Sequence, residues 1–180
     1  RLLAAAVPAL AGCAADALAA AAQATGAAAV LVASDYRGKE IAGRAAILLD
    51  SAASSDLADL RLSEGADAIT ASKLVLSGSW TTTSALALGG PAPVLVIRPG
   101  AYEPLSDGVA ELAPEAIDVA PAAESTSVEL VESERTAAAA GPELTEARTV
   151  VVGGRGVDGD FDLVRSLAEP LGAAVGATRV

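Results

Sequence analysis

Three observations predict an α/β chain of doubly wound type that runs on into the start of a second α/β unit. An alanine-rich helical stretch leads through a glycine into the apolar run Ala28 to Ala33, which passes by a polar turn into another helix. Strand, loop and helix in that order make the repeating step of a parallel sheet. The same order returns near the other end, where Thr149 to Val152 breaks into glycines and then opens a helix. Finally, 52% of the residues are hydrophobic but only 2% are aromatic, and much of the apolar content is alanine. Small side chains let helices lie close to a sheet, each contact contributing little.

The elements follow in order. Residues 9 to 24 place Leu10, Cys13, Ala14, Ala17, Leu18 and Ala21 on one face at three-and-four spacing, and Gly26 closes that helix. The buried strand 28 to 33 ends in Ser34-Asp35-Tyr36-Arg37-Gly38, ahead of a helix from Lys39 to Leu49. Ser34 and Asp35 have two readings: caps of that helix, or a ligand loop at the carboxyl end of a strand. From Ala66 the rhythm shortens into strands at Ala68 to Ala71, Leu74 to Ser77, Thr81 to Leu88 and Val94 to Ile97, the last two joined by Gly89 to Pro93. Trp80, the only tryptophan, suits either stacking on a ring or anchoring a core or interface. Residues 101 to 143 are acidic and rich in Ala, Pro, Ser and Glu, which predicts an extended linker with one edge strand at Ser127 to Val131. Residues 1 to 100 thus form a partial first domain, and a second begins at Leu144 and runs to 180. Its elements are a strand at 148 to 152, a helix from Phe161 to Leu171 with Leu163, Val164, Leu167, Ala168 and Leu171 inward and Pro170 breaking it early, and a strand at 173 to 177.

Composition excludes several chemistries. A net charge of -11 opposes nucleic acid and anionic membrane surfaces, both of which need clustered Lys and Arg. The alanine-rich stretch from Val7 to Val32 is broken by Pro8, Gly12, Asp16, Gln23 and Gly26, so it does not read as a membrane span. Without histidine there is no Ser-His or Cys-His nucleophile and no histidine metal site. The lone Cys13 forms no internal disulfide, ligates no iron–sulfur cluster and fits a reducing cytoplasm. Glu132 and Glu134 fall in the solvated linker, and no Walker-type Gly-Lys-Ser occurs. The chain has no methionine and opens at Arg1 in the approach to a helix, which predicts a fragment lacking its N-terminal start and most of its second domain.

The candidate site is the turn after Val152. Gly153, Gly154 and Gly156 remove side chains that would hold a phosphate off the backbone, and Asp160 and Asp162 stand where a helix begins with its N–H groups free. Arg155 adds a forked set of donors. Glycines at a strand-to-helix turn also have a purely steric reading, and the residues alone leave both open.

Longer runs carry a resemblance. Pro142-Glu-Leu-Thr145, Val150-Val-Val-Gly-Gly-Arg-Gly-Val157, Phe161-Asp-Leu-Val164 and Leu171-Gly-Ala-Ala-Val-Gly-Ala-Thr-Arg179 are similar to the segment opening the flavin-binding domain of electron-transfer flavoprotein alpha subunits. Gly38-Lys-Glu-Ile-Ala-Gly-Arg44 and Pro93-Val-Leu-Val-Ile-Arg-Pro-Gly100 resemble that family's first domain, and the likeness is weakest at residues 1 to 25 and 101 to 141. The resemblance implies a Rossmann-like three-layer parallel sheet with antiparallel edge strands, then the start of an FAD-binding domain. It implies an electron carrier without substrate turnover, which takes electrons from flavin dehydrogenases in pathways such as fatty-acid β-oxidation and passes them to a quinone-linked oxidoreductase. It implies a heterodimer with a beta subunit that holds AMP.

By the same resemblance Arg155 contacts FAD, Thr178 supplies a hydroxyl where the family reads Ala-Ser-Arg, and Arg179 lies beside the isoalloxazine ring. A cation ~4 Å from charge gained on one-electron reduction, at an effective dielectric of ~20, is worth roughly 4 kcal/mol before desolvation. The family's later Gln-x-Gly-x-Thr-Gly-Lys and Ser-Gly-x-x-Gln-His turns are not among these residues, so the chain alone is expected to hold little FAD. Two other readings stand beside this one. In the first, a nucleotide-binding module holds an adenine nucleotide at 34 to 38 or 153 to 157; in the second, the chain is a scaffold subunit with structural contacts only.

Overall fold

The computed structural model describes residues 1–105, 112–134 and 141–179. They group into two compact units, Arg1–Val131 and Glu132–Val180. The expected linker therefore lies partly outside the described residues, at 106–111 and 135–140.

In the first unit β1 (Leu2–Ala4) precedes α1 (Ala11–Thr25), β2 (Val30–Ala33), α2 (Tyr36–Leu48), β3 (Ala53–Leu57), β4 (Asp59–Leu62), β5 (Ala68–Val75), β6 (Trp80–Ala87), β7 (Val94–Ile97), β8 (Pro114–Ala116) and the one-turn α3 (Ala123–Thr126). Parallel strands run in the order β2-β7-β3, and β1 pairs in parallel with β8. The unbroken apolar run Val94 to Ile97 sits centrally because both its faces are covered. Val94 and Val96 face α1 and α2 through Ala22, Ala42 and Ala46, while Leu95 meets Leu57 and Ala71.

The antiparallel strands form a sheet of their own, β4-β5-β6, whose Ala71 packs on that second face. Ala68 to Val75 is one strand, not two short ones, and it hairpins to β6 through Leu76 to Ser79. The Gly89 to Pro93 turn carries the chain from this sheet back to the parallel one.

Other expectations need correction. β1, β3 and β4 were not predicted: their residues include Ala, Ser and Asp, which carry little strand preference, and pairing with neighbours decides them. The buried stripe of α1 is Cys13, Ala15, Ala19 and Ala22, so Ala14, Ala17 and Ala21 are not its core. Ser127 to Val131 forms no strand; among the described residues of the expected linker the helix and strand elements are α3 and β8. Trp80 is exposed at the start of β6, outside the core.

In the second unit β9 (Val150–Gly153) and β10 (Ala174–Ala177) run parallel, joined through α4 (Asp162–Ala168). Pro170 does stop the helix: Glu169 to Leu171 tightens into a 3-10 turn closed by Gly172 at φ 56°. Only Val164 and Ala168 of α4 are buried, whereas Leu163, Leu167 and Leu171 are exposed. Two strands offer a helix one narrow strip to cover, and the remaining apolar positions find nothing to pack on within the described unit.

Candidate functional site

The register of the second unit builds the site. Gly153 lies opposite Ala177, so the residues leaving both strands, Gly154-Arg155 and Thr178-Arg179, emerge side by side at the carboxyl end of a parallel pair. A main-chain bond ties the two arms, the Thr178 N–H donating to the Gly153 carbonyl at 3.0 Å. Ligands of α/β sheets bind in the crevice at such an end.

The three glycines have different reasons to be there. A Cβ on Gly153 would lie 2.9 Å from Cε1 of Phe161 and 3.1 Å from Cγ2 of Val164, so this glycine lets α4 close on β9. A Cβ on Gly154 would lie 3.2 Å from Oγ1 of Thr178, which places the hydroxyl of one arm over the bare backbone of the other. A Cβ on Gly156 would meet nothing within 4 Å, so no packing within the described residues requires that glycine. The turn continues as a 3-10 segment, Arg155–Val157, and reverses through Asp158 and Gly159, both at positive φ. The steric reading thus holds for Gly153 and in part for Gly154, whereas Gly156 stands in open space.

Arg155, Thr178 and Arg179 are exposed, and among the described residues neither guanidinium is engaged in an ion pair. The start of α4 is not the open N–H cluster that the sequence predicted. Asp160 Oδ1 accepts from the Asp162 N–H at 3.0 Å, and Asp162 pairs with Arg165 at 2.9 Å. Asp160 thus takes one N–H at the helix start and both carboxylates disfavour an anion there, so the donors left to the candidate site are the glycine backbone, Thr178 and the two arginines. Phe161 is the residue that sequence reasoning missed. Its signal was available: it is the only phenylalanine of the chain, placed at a helix entry eight residues after the first glycine.

The loop at 34 to 38 is occupied by its own contacts. The Asp35 carboxylate accepts from the Gly38 N–H as the cap of α2, which decides for capping. Ser34 donates to Asp56 Oδ1 at 2.8 Å, and Lys39 Nζ pairs with the same oxygen at 2.9 Å. The Lys39 hydrogen bond, then that of Ser34, holds the Asp56 carboxyl below the usual carboxylate range. With these polar groups spent on one another, an adenine nucleotide gains few donors there. Among the described residues no cluster of three or more His, Cys, Asp or Glu could hold a metal ion. Nor is any described helix long and apolar enough to cross a membrane.

Comparison with known proteins agrees with this division. Residues 2–138 match the family model described as the electron transfer flavoprotein domain, and residues 143–180 match the electron transfer flavoprotein FAD-binding domain. The electron transfer flavoprotein subunit alpha of Mycobacterium leprae is 40% identical over 171 residues, which cover 91% of this chain and 49% of that protein. Its counterpart in Mycobacterium tuberculosis (strain CDC 1551 / Oshkosh) is 38% identical over 176 residues, with the same coverage, and that of Syntrophomonas wolfei 33% identical over 156 residues. The chain thus spans about half the length of the relatives it matches, 49% in the first two cases. Two family models laid end to end over nearly all its residues, and alpha-subunit relatives at 33% to 40% identity, lead to one conclusion: this chain belongs to the electron transfer flavoprotein family, in its alpha-subunit branch.

Proposed function

We propose that the chain serves as the electron-carrying alpha side of an electron transfer flavoprotein and that Arg155, Thr178 and Arg179 hold its FAD. The observation that carries this reading is the paired exit of β9 and β10, where the Thr178 hydroxyl faces Gly154 and each arm continues into an exposed arginine. The donor set suits a dinucleotide. Bare backbone at Gly154 and Gly156 admits phosphate oxygens, the hydroxyl fixes an orientation, and two cations balance the anionic ligand. When bound, FAD supplies the capacity to accept and release electrons. The protein's part is electrostatic: Arg155 neutralises diphosphate charge, Arg179 stands where charge added to the ring is stabilised, and Thr178 donates or accepts one hydrogen bond at the crevice floor.

In this reading the chain turns over no substrate. It works with a beta subunit, which keeps any AMP on its own side, and passes electrons from flavin dehydrogenases to a quinone-linked oxidoreductase. The single, buried Cys13 fits the reducing cytoplasm of a bacterium. The test is an FAD titration followed by flavin fluorescence, on the chain alone and on a longer alpha chain assembled with its beta subunit. Weak saturable binding is expected for the former and retained flavin for the latter, with Arg155→Ala and Arg179→Ala each weakening binding by about tenfold or more. A colourless assembly that never takes up FAD would overturn the proposal.

A further inference from the structure

We infer that Phe161 is a positioning residue for the flavin site, acting through Gly153. The inference rests on the reading of 153–157 and 178–179 as that site. Gly153 is the common hinge of both arms: its carbonyl receives the Thr178 N–H at 3.0 Å, and its own chain continues directly into Gly154 and Arg155. Whatever sets the height of its Cα above α4 therefore sets both arms together. That surface is the ring of Phe161, whose Cε1 and Cζ stand 2.9 and 3.1 Å from where a Gly153 Cβ would be, with Val164 Cγ2 alongside at 3.1 Å. A flat ring edge allows this approach and resists further compression, as a flexible side chain does not. The backbone that carries the ring is held in turn, since Phe161 enters α4 and its carbonyl accepts from the Arg165 N–H at 2.9 Å. In a chain with one phenylalanine, its only ring of this kind is spent at the hinge of the candidate site.

A residue that only filled the core would change stability without moving the arms. The experiment separates the two roles with Phe161→Tyr, which adds an oxygen to the Cζ already against Gly153, with Gly153→Ala, and with the double variant Gly153→Ala/Phe161→Leu. Amide chemical shifts of Gly154, Arg155, Gly156, Thr178 and Arg179 are read in the purified chain, and FAD affinity is read separately by titration. Phe161→Tyr and Gly153→Ala are expected to shift the same amides in both arms and to weaken FAD by about tenfold. The double variant is expected to return the shifts toward wild type and the affinity to within about threefold. Purely additive effects, or shifts confined to α4, would overturn the inference. If the wild-type chain binds no FAD, the amide shifts still decide whether Phe161 sets the arms, and only the flavin reading fails.

Discussion

Gly156 and Gly153 are indistinguishable as letters in a glycine-rich turn, and the space around each separates them. Gly153 has a ring and a valine against it; Gly156 has open solvent. Alanine at 156 should therefore leave folding within about 0.5 kcal/mol of wild type while the added methyl stands in the path of the ligand. Thermal unfolding paired with FAD titration checks this, and an unchanged FAD affinity would remove Gly156 from the site. The same scale explains why Asp160 and Asp162 were misjudged. An aspartate near a helix start signals the start correctly, but a carboxylate that itself accepts one of the N–H groups there competes with an anion for that end.

At the scale of elements, the hairpin between β5 and β6 shows strain that is local and removable. Leu76 and Ser77 lie at φ 51° and 55°, followed by Gly78 at φ 86°. A leucine in the left-handed region costs about 1 kcal/mol relative to residues that enter it readily. Leu76 is also exposed, so its side chain contributes little burial in return. Leu76→Asn is expected to stabilise the first unit by about 0.5–1 kcal/mol, measured by urea unfolding. No gain would mean that the side chain has a covering partner in solution. The helices teach a different lesson. In α1 nine of the fifteen positions are alanine, so periodicity has little contrast to work with, and the inward face is decided by where α2 and the valines of the sheet stand. By contrast the bounds of β7 were legible as four bulky apolar residues between proline and arginine, but its place was not: grouped with the antiparallel edge in the sequence reading, it lies at the centre of the parallel sheet, where both its faces are covered.

For the first unit as a whole, Asp16 joins pieces distant in sequence. Its carboxylate, largely buried, accepts from the Ala122 N–H at 2.9 Å and from Arg44 Nε at 3.3 Å. Burial pushes that carboxyl up, but the hydrogen bonds from the Ala122 N–H and Arg44, with the dipole of the nearby Ser125 hydroxyl, together outweigh it and hold it below the usual range. A folded value below the unfolded one of about 3.9 means stability that is complete above that pH and is lost as pH falls through the folded value. Asp56 acts in the same direction. Unfolding free energy should thus be flat down to about pH 5 and fall below about pH 4, and Asp16→Asn should lower the plateau by about 1–3 kcal/mol while flattening the acid limb. Urea unfolding at a series of pH values is the measurement, and a variant with an unaltered acid limb would show that Asp16 does not govern it.

The sequence by itself determined the α/β class, the strand–glycine–helix order at 149–164 and the family, because bulky apolar runs, glycine turns and Arg-flanked motifs are written in consecutive residues. It also showed that these 180 residues carry no histidine and a single cysteine. Only the tertiary structure decided which glycine packs and which stands in open space, that Thr178 sits over Gly154, that Asp35 caps and Asp56 consumes Ser34 and Lys39, and that the antiparallel strands form a separate covering sheet. Apart from the local Asp35 cap, these are relations between residues distant in sequence, 24 positions in the case of Gly154 and Thr178, and only the fold brings them together.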